Sequence, residues 1–471
     1  MKLAIATFAL LQLLSTCSGP AYVRPDASMP PAYRDQTQSQ TMPPMGALGW
    51  WEIFKDPELQ TLLRTAVAQN YDVRIAMQRV QQAQAQLTIV SGNRYPQINA
   101  VASAQYSKTD GPENAFIPRE EFIPVALLTL QYEVDLFGKV HSETASAAAQ
   151  VLQSEFARET VTASVVKSVA SLYFQLRELD VEFAISQEAL RSRNQSLKIV
   201  LERYHAGKNG LQDVAQAQEL VAEVTASILL IQRDAATVED ALSILLGNYP
   251  GSIPRGLPLQ SQVAMPAVPS AGLPSALLEQ RPDIRASEEN LIAANAQIGV
   301  ARALLFPQFT IGAAAGAGTA QINGVNYPES AISILPQIVQ QVFNTGAAHA
   351  NVTKSQAAKE QAVLEYVQSI HQGVGDVADA LIAYDLNRKY AVAQAANSAA
   401  ALKSLQLANI RYVNGQTSYL EVLDSESRAY EAEIAQSQGE LAERLALVQL
   451  YHATGGGWQP EPVAAEPSPS P

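Results

Sequence analysis

The sequence of 471 residues has little cysteine and little charge. Its single cysteine, Cys17, excludes a disulfide bond within the chain. Charged residues make up only 16% of the chain, a low share for a soluble protein, and the net charge of −13 includes no cluster of Lys or Arg. Nucleic acid is therefore excluded as a partner. After the N-terminal segment no continuous apolar run reaches about 18 residues, so the sequence predicts no transmembrane helix.

The chain also lacks the patterns of a catalytic or metal site. Its five histidines are scattered without the spacing of metal ligands. The glycine pattern GAAAGAG at 312–318 lies inside an expected strand, whereas a phosphate loop lies between a strand and a helix. Cys17 lies at a processing site, which argues against a nucleophile. We therefore predict that the protein is not an enzyme, with no catalytic residues, no metal and no cofactor.

The N-terminus has the features of an export signal. Residues 1–16 are predicted to be a signal peptide, because a positive start precedes a short apolar run. The segment resembles a bacterial lipoprotein signal, in which Cys17 becomes the lipidated first residue. Thr16 departs from the small residue usual before that cysteine, so an ordinary secretory signal remains the alternative. Residues 17–48 are rich in Pro, Ser and Gln and are predicted to form a lipid-anchored extended arm.

The body of the chain is a tandem duplication. The stretch at 281–309 repeats that at 70–98 with an offset of 211 residues, as from Asp72 to Asp283. Later pairs share an offset of 208 residues, namely His141/His349, Tyr204/Tyr412, Gly207/Gly415 and Val214/Val422. A register kept over such lengths indicates two equivalent structural repeats. The predicted order is a first repeat at 49–250, a linker at 251–275, a second repeat at 276–457 and a disordered Pro-rich tail at 458–471.

Each repeat changes from a helical to a strand pattern. One continuous helix is predicted from Pro57, with Asp56 as its cap, to about residue 93, and its second copy from about 283 to 305. After Pro96 and Pro307, which end these helices, the apolar residues follow a period of two, which is typical of strands with one apolar face. Strands are predicted near 97–107, 122–136, 308–319 and 331–343. Uninterrupted helical patterns follow near 139–205 and 347–412, with return helices near 212–246 and 419–453. A helix of about 65 residues is about 100 Å long, several times the thickness of a bilayer.

The strands indicate that the chain forms an oligomer. Four strands are too few for a closed barrel, which needs about eight, and open apolar edges are unfavourable in water and in lipid. A dimer would supply eight strands and a trimer twelve. The alternative is a soluble sandwich whose apolar faces pack together. It is disfavoured because the strands lie between very long helices and no other sheet could cover them.

Three sets of residues carry a resemblance to a known family. They are WWEIFKDPELQTLLRTAVAQNYDVRIA at 50–76, the strand starts RYPQI and LFPQF, and two RY-x-x-G hairpins of which the second continues into LEVLD. Together they resemble the TolC/OprM-type outer-membrane efflux proteins, in the lipoprotein (NodT-like) branch. The resemblance implies a mostly α fold with membrane β-structure. It would be a homotrimer whose long α-helical barrel continues into a 12-stranded transmembrane β-barrel, with four strands from each chain.

The resemblance also implies a function. The protein would be the passive exit duct of a tripartite efflux system for drugs or other small molecules. Its expected partners are a periplasmic adaptor (membrane fusion) protein, an inner-membrane transporter of the RND type and outer-membrane lipid. The expected location is the outer membrane of a Gram-negative bacterium, with the helices extending into the periplasm. A lipid-anchored periplasmic helical scaffold and a type I secretion exit channel remain as alternatives.

The family pattern assigns a role to each hairpin. In the resemblance both lie at the periplasmic tip, and the second lines the gate with Tyr412, Gly415, Leu420, Glu421 and Asp424. The first, with Tyr204, Gly207 and Asp213, would face the adaptor. Some members carry a basic latch residue where this chain has Thr417, so gating is expected to rest on packing and hydrogen bonds from Tyr412. The two acids also suit the start of a helix, where the helix dipole favours negative charge.

Overall fold

The structure is a computed structural model that describes residues 19–34, 45–108, 120–261, 271–322 and 325–461. The predictions for residues 1–16 and for Cys17 lie outside these residues. The chain divides into two compact units, each drawn from both repeats. The described parts of Met1–Asp26, Arg79–Glu155 and Ala286–Val367 form one, which we call the sheet unit. Those of Ala27–Gln78, Phe156–Arg285 and Gln368–Pro471 form the other, the hairpin unit.

Helices account for most of the described residues. They are α1 (Trp50–Ile53), α2 (Pro57–Gln69), α3 (Tyr71–Gly92), α4 (Lys139–His205), α5 (Leu211–Leu245), α6 (Leu277–Gln280), α7 (Pro282–Ala303), α8 (Ala347–Val413) and α9 (Tyr419–Ala453). The long helices α4 and α8 have 67 residues each, and the return helices α5 and α9 have 35 each. Helices of equal length therefore occur at equivalent positions of the two halves of the chain.

The backbone repeats this symmetry at the turns. Three pairs of glycines separated by the offset of the repeat have positive φ, namely Gly138 and Gly346, Gly207 and Gly415, and Gly247 and Gly455. Such a conformation is unfavourable for side chains with a Cβ, so glycine suits these positions, of which the first pair directly precedes α4 and α8 and the other two pairs follow the ends of helices. The duplication therefore preserves the residues that set the length of each helix.

The first helix of the body is interrupted where the sequence predicted one continuous helix. Asp56 caps α2 as predicted, by accepting a hydrogen bond from the Glu58 amide at 2.9 Å. Asn70 then ends α2, and its Oδ1 accepts hydrogen bonds from the amides of Asp72 (2.8 Å) and Val73 (3.2 Å). Asn is a favoured N-cap, and this local bond competes with continuation of the helix. The apolar periodicity alone concealed this break.

The sheet is an antiparallel sequence of four neighbouring strands. The strands are β1 (Gln97–Lys108), β2 (Glu120–Val134), β3 (Gln308–Ile322) and β4 (Val325–Val339), paired in the order β1-β2-β3-β4. The fourth begins before the expected residue 331 and ends before 343. Its first residues, VNYPES, lack the apolar alternation, and they are ordered by pairing with β3.

The register aligns the predicted apolar faces across all four strands. Ala100 pairs with Leu128, Leu128 with Ala315, and Ala315 with Ile332. The row beside it, on the opposite face, joins Asn99, Thr129, Ala314 and Ser333. Directly paired residues lie on the same face of a sheet, so one face is apolar in the row of Ala100 and in the next row on that face, of Ile98, Leu130, Ala313 and Ile334, and the other face is mixed. This arrangement matches the strands of a membrane barrel.

The two outer strands have one neighbour each among the described strands. In β1, 11 of the 12 residues are exposed, and in β4 all 15 are exposed. Ile332 and Ile334 of β4 keep 83% and 72% of their surface accessible. Rows of unpaired amides beside exposed isoleucines are unfavourable in either water or lipid, so the sheet is incomplete within one chain.

The hairpin unit is fixed around a buried carboxylate. Asp56 is fully buried and accepts hydrogen bonds from the Tyr173 hydroxyl at 2.7 Å and the Leu257 amide at 3.0 Å. The Tyr173 hydroxyl in turn accepts a hydrogen bond from the Gly256 amide at 2.9 Å. This network joins the start of α2, the middle of α4 and the linker between the repeats. A buried acid with several donors keeps its charge compensated.

Residues 20–24 of the N-terminal arm are bound to α7 within the sheet unit. Arg24 makes a bidentate ion pair with Glu288 on α7, with both N–O distances at 2.7 Å. The Tyr22 hydroxyl donates to the same carboxylate at 2.8 Å, and the Asn295 amide donates to the Pro20 carbonyl at 2.7 Å. No helix or strand occurs between residues 19 and 34. Side chains of α7 therefore fix the extended arm in place.

The start of the segment expected to be a disordered tail is also bound. The Trp458 indole donates to the Gln280 carbonyl at 3.2 Å, and Gln459 donates to the Gly46 carbonyl at 2.7 Å. Arg64 pairs with Glu461 at 2.8 Å. These contacts lie within the hairpin unit. Composition did not reveal them because the partners are distant in sequence.

One described helix, α5, is long and apolar enough to cross a membrane by its length and composition. Its buried residues follow a period of seven, at Ala217, Val224, Ile231 and Val238. This spacing is typical of one helix packed along another. We therefore interpret α5 as a packed helix and not as a membrane span.

Candidate gate at the two helical hairpins

Both hairpins turn with the same backbone hydrogen bonds. In the first, the Gly207 amide donates to the Tyr204 carbonyl and the Lys208 amide to the Arg203 carbonyl, each at 2.9 Å. This is the Schellman arrangement, in which a left-handed residue lets the chain satisfy the last carbonyls of a helix. The φ of Gly207 is +70°.

The second hairpin repeats these bonds at the equivalent residues. The Gly415 amide donates to the Tyr412 carbonyl at 3.0 Å, and the Gln416 amide to the Arg411 carbonyl at 2.9 Å. The φ of Gly415 is +72°, and a Cβ added there would meet nothing within 4 Å. The two turns therefore have the same backbone conformation and differ in their side chains.

The acid at the start of the return helix has different partners in the two hairpins. In the first, Asp213 accepts a hydrogen bond from the Gly210 amide at 3.2 Å, as in a capping box. In the second, Glu421 accepts hydrogen bonds from the Arg411 guanidinium at 2.5 Å and from the Thr417 hydroxyl. Thr417, which replaces the basic latch residue of some family members, thus holds the acid within its own turn.

The other predicted residues of the second hairpin are accessible. Asp424 pairs with Arg428 at 2.9 Å, with more than half of each side chain exposed. Leu420 retains 59% of its surface. Within one chain Glu421 pairs with Arg411 and Asp424 pairs with Arg428, so neither acid is an uncompensated negative charge. The role of these acids in a pore stays a prediction.

Tyr412 lies between the two hairpins. The Arg203 guanidinium of the first hairpin lies over its ring at 4.5 Å from the centroid, and the Tyr419 ring is 5.3 Å away. Its hydroxyl is buried and has no hydrogen-bond partner among the described residues. Within the described residues of one chain the contact of Tyr412 is therefore made by the face of its ring, and its expected hydrogen bonds at the gate stay a prediction. The equivalent Tyr204 is exposed beside the His205 ring.

An apolar cluster joins the hairpins beneath Tyr412. We call it the hairpin cluster, and its buried members are Val200, Val214, Ala217, Ala408, Tyr419, Val422 and Leu423. The first three belong to the first hairpin and the others to the second. Burial of each larger side chain stabilises the contact by about 1.5–3 kcal/mol. The two tips are therefore one packed body within a chain.

Away from the tip the contact between α4 and α9 becomes polar. The Ser196 hydroxyl donates to Glu426 at 2.9 Å, and Ser186 and Tyr430 share a hydrogen bond at 3.0 Å. The Arg193 guanidinium lies 5.2 Å from the centroid of the Tyr430 ring. Burial raises the pKa of Glu426, while the Ser196 hydrogen bond and the nearby Arg193 charge oppose that shift.

Sequence reasoning missed this polar contact, although its signal was present. The buried polar residues of α4 recur at intervals of four and seven, at Glu178, Glu182, Ser186 and Arg193. Positions with this spacing form one face of a helix and are usually apolar. Among the described residues no group of three His, Cys, Asp or Glu could hold a metal ion. The face is therefore a polar helix contact, which we call the polar seam.

Comparison with known proteins identifies the family to which this architecture belongs. The family model of the outer membrane efflux protein matches residues 62–248 and 273–456, one segment for each repeat. The solvent efflux pump outer membrane protein SrpC of Pseudomonas putida is 34% identical, with 97% of this chain and 98% of that protein covered. The cation efflux system protein CusC of Escherichia coli K12 is 30% identical, over 87% of this chain and 89% of that protein.

A solved structure agrees with the sequence relatives. The open state of the MtrE outer membrane channel of Neisseria gonorrhoeae superposes with a TM-score of 0.85 at 28% identity, over 94% of this chain and 98% of that one. A chain with duplicated long hairpins and an open sheet of four apolar-faced strands is a protomer of an outer-membrane channel. The chain belongs to the outer membrane efflux protein family. It is an outer-membrane component of an efflux system, and members of this family are channels and not enzymes.

Proposed function

We propose that three copies of the chain close one pore, each supplying four strands to a 12-stranded barrel and four long helices to a periplasmic duct. The observation that carries this proposal is the incomplete sheet, in which both outer strands are exposed along nearly their whole length. Pairing β4 of one copy with β1 of the next removes every open edge. A soluble scaffold would have no use for such strands.

In this proposal the duct is passive and its energy comes from a partner. A periplasmic adaptor meets the tips, and an RND-type inner-membrane transporter delivers the cargo. The relatives are named for solvent and cation efflux, which favours small molecules over the protein cargo of a type I secretion channel. The exposed first hairpin, with Tyr204 and Gly207 at its turn, supplies a surface for the adaptor.

The gate in this proposal is the second hairpin. Threefold symmetry would bring three copies of Glu421, Asp424 and Leu420 around one axis, where close carboxylates attract cations and a leucine ring narrows the opening. Arg411 and Arg428 compensate the acids within each chain, so the attraction for cations is moderate. The contact of Arg203 with Tyr412 holds the second hairpin against the first in the closed state.

Single-channel conductance in planar bilayers tests this function. The wild-type trimer is compared with the double variant Glu421→Ala/Asp424→Ala and with Asp213→Ala, the change at the equivalent acid of the first hairpin. We expect a small cation-preferring conductance in the wild type, a loss of that preference in the double variant and no change for Asp213→Ala. A correctly folded oligomer that inserts but conducts no current would contradict the duct.

The lipid anchor at Cys17 is part of the same proposal. The binding of Tyr22 and Arg24 to Glu288 supports it, because this contact attaches the arm that follows the cysteine in sequence to the sheet unit. Labelling of cells with a radioactive fatty acid should mark the wild-type protein and leave Cys17→Ala unmarked. Equal labelling of both proteins would refute the anchor.

A further inference from the structure

The polar seam contains two buried carboxylates that face no basic group. Glu178 and Glu182 lie one turn apart on α4 and retain 4% and 9% of their surface. The Gln438 amide of α9 donates to Glu182 Oε1 at 2.9 Å. Glu178 Oε1 and the hydroxyl oxygen of Ser437, which is 2% exposed, have no hydrogen-bond partner among the described residues. Two buried like charges at this separation are strongly unfavourable.

The charged groups around this pair do not compensate it. On α4, Arg177 pairs with Asp180 at 2.5 Å and also donates to the Leu257 carbonyl. In the linker, Arg255 pairs with Asp180 and with Glu239.

The neighbouring charges on α9 are also engaged elsewhere or are negative. Arg444 donates to the carbonyls of Leu259 and Glu440. Glu433 is next to Glu188 of α4, and burial, followed by that carboxylate, raises its pKa. Among the described residues no basic group therefore pairs with Glu178 or Glu182, and a proton is the simplest group that can neutralise the pair.

We propose that Glu178 and Glu182 share one proton that holds α4 against α9, and that loss of this proton loosens the polar seam. With one proton bound, the Glu178 carboxyl donates a hydrogen bond to the Glu182 carboxylate, and the pair carries a single negative charge. When the O–H bond breaks and the proton passes to water, two buried carboxylates repel each other. Separating the helices then allows water to solvate both charges.

The electrostatics of the site supports this reading. Burial and then the Glu182 carboxylate raise the pKa of Glu178 to about 8. A pKa raised in the packed state means that the packing is stabilised while the proton is bound. That stabilisation is fully present below the ordinary pKa of a carboxyl and is lost as the pH rises through about 8. The seam is thus tight in acid and loose in alkaline medium.

The position of the pair gives this change a possible effect on the channel. From Glu178 to the end of α4 at His205 is about 40 Å at 1.5 Å per residue, so the pair lies well away from the tip. Between the pair and the hairpin cluster, α4 and α9 are joined by the polar contacts of Ser186, Arg193 and Ser196. Such contacts cost less to open in water than an apolar interface, because each polar group can exchange its partner for water. A looser seam would remove part of the contact that, together with the hairpin cluster, holds the second hairpin against the first.

The test compares the pH dependence of thermal unfolding in the purified full-length trimer. Wild type is measured against Glu178→Gln, whose amide donates the same hydrogen bond and does not titrate, over about pH 6 to pH 9.5. The control is Glu202→Gln, which changes an exposed acid on the same helix. We expect the melting temperature of wild type and of the control to fall as the pH rises from about 6 and to level off above about pH 8, and that of Glu178→Gln to stay level over the whole range.

A second variant separates a shared proton from a single buried acid. Glu182→Gln removes the neighbouring charge and leaves burial, so its melting temperature should level off at a lower pH than that of wild type. Identical pH profiles for wild type and Glu178→Gln, or the same levelling pH in wild type and Glu182→Gln, would overturn the proposal. The melting experiment does not depend on channel activity, so it can fail while the proposed function stands. Conductance should rise at alkaline pH in wild type and remain level in Glu178→Gln.

Discussion

The two hairpins have the same backbone conformation at the turn and differ in the contacts of their side chains. Each ends its long helix with a left-handed glycine and two equivalent hydrogen bonds. Tyr204 of the first is exposed, whereas Tyr412 of the second lies under Arg203. Arg203 and Arg411 are equivalent residues, yet one binds an aromatic ring of the other hairpin and one binds an acid in its own turn. Duplication kept the turn, and divergence of a few side chains made one hairpin dependent on the other.

The largest expected effect separates the two tyrosines. Tyr412→Ala should lower the free energy of unfolding by about 2–3 kcal/mol, because it leaves a cavity above the hairpin cluster. This loss is somewhat smaller than that expected for removal of a fully buried aromatic side chain. Channel conductance should rise, since the second hairpin loses its contact with the first. Tyr204→Ala is the matched control and should change stability by less than about 0.5 kcal/mol. Denaturant unfolding with conductance measures both, and equal effects would mean that the hairpins are not specialised in this way.

A smaller loss of stability is expected at the glycine turn, which has the same conformation in both hairpins. Gly207→Ala and Gly415→Ala each place a Cβ on a residue with positive φ, which costs about 1–2 kcal/mol. Both sites are open, with nothing within 4 Å of the added atom, so the cost should be the same at each turn. Thermal unfolding of the two variants measures it. A clearly larger loss at Gly415 would show that this turn is held by contacts that Gly207 lacks.

The smallest effect concerns the two equivalent arginines. Arg203→Ala removes the cation–π contact with Tyr412 and should cost about 0.5–2 kcal/mol. Arg411→Ala breaks an ion pair whose two side chains are 51% and 39% exposed, which is worth about 0–1 kcal/mol. Raised salt should weaken the second contact more than the first. Double-mutant cycles measure each contact, Arg203→Ala with Tyr412→Ala and Arg411→Ala with Glu421→Ala. If the first cycle gives no coupling energy, the contact of Arg203 with Tyr412 has no role in holding the hairpins together.

Much of the fold followed from local patterns. The helical period, the change to a period of two after Pro96 and Pro307 and the repeated glycines predict helices, strands and turns, because each depends on neighbours in the chain. The break at Asn70 was missed because a single capping side chain ended a helix whose apolar pattern continues. The start of β4 was missed because its residues are ordered by pairing with β3.

The candidate gate was only partly predictable. Tyr412, Gly415 and Glu421 were marked by their place in the repeated motif. Their partners were hidden, since Arg203 is far from Tyr412 in sequence and the polar seam joins residues of different repeats. A hydrogen bond or ring contact between residues that are distant in sequence produces no periodic pattern in the sequence.

The sequence by itself determined the repeats, the lengths of the helices, the apolar face of each strand and the incompleteness of a four-stranded sheet, because these depend on spacing along one chain. The tertiary structure alone decided that Tyr412 meets Arg203, that Glu421 is held within its turn and that Glu178 and Glu182 are buried together. Such pairings depend on which helix faces which, and that choice is made when the apolar faces of separate segments pack against each other.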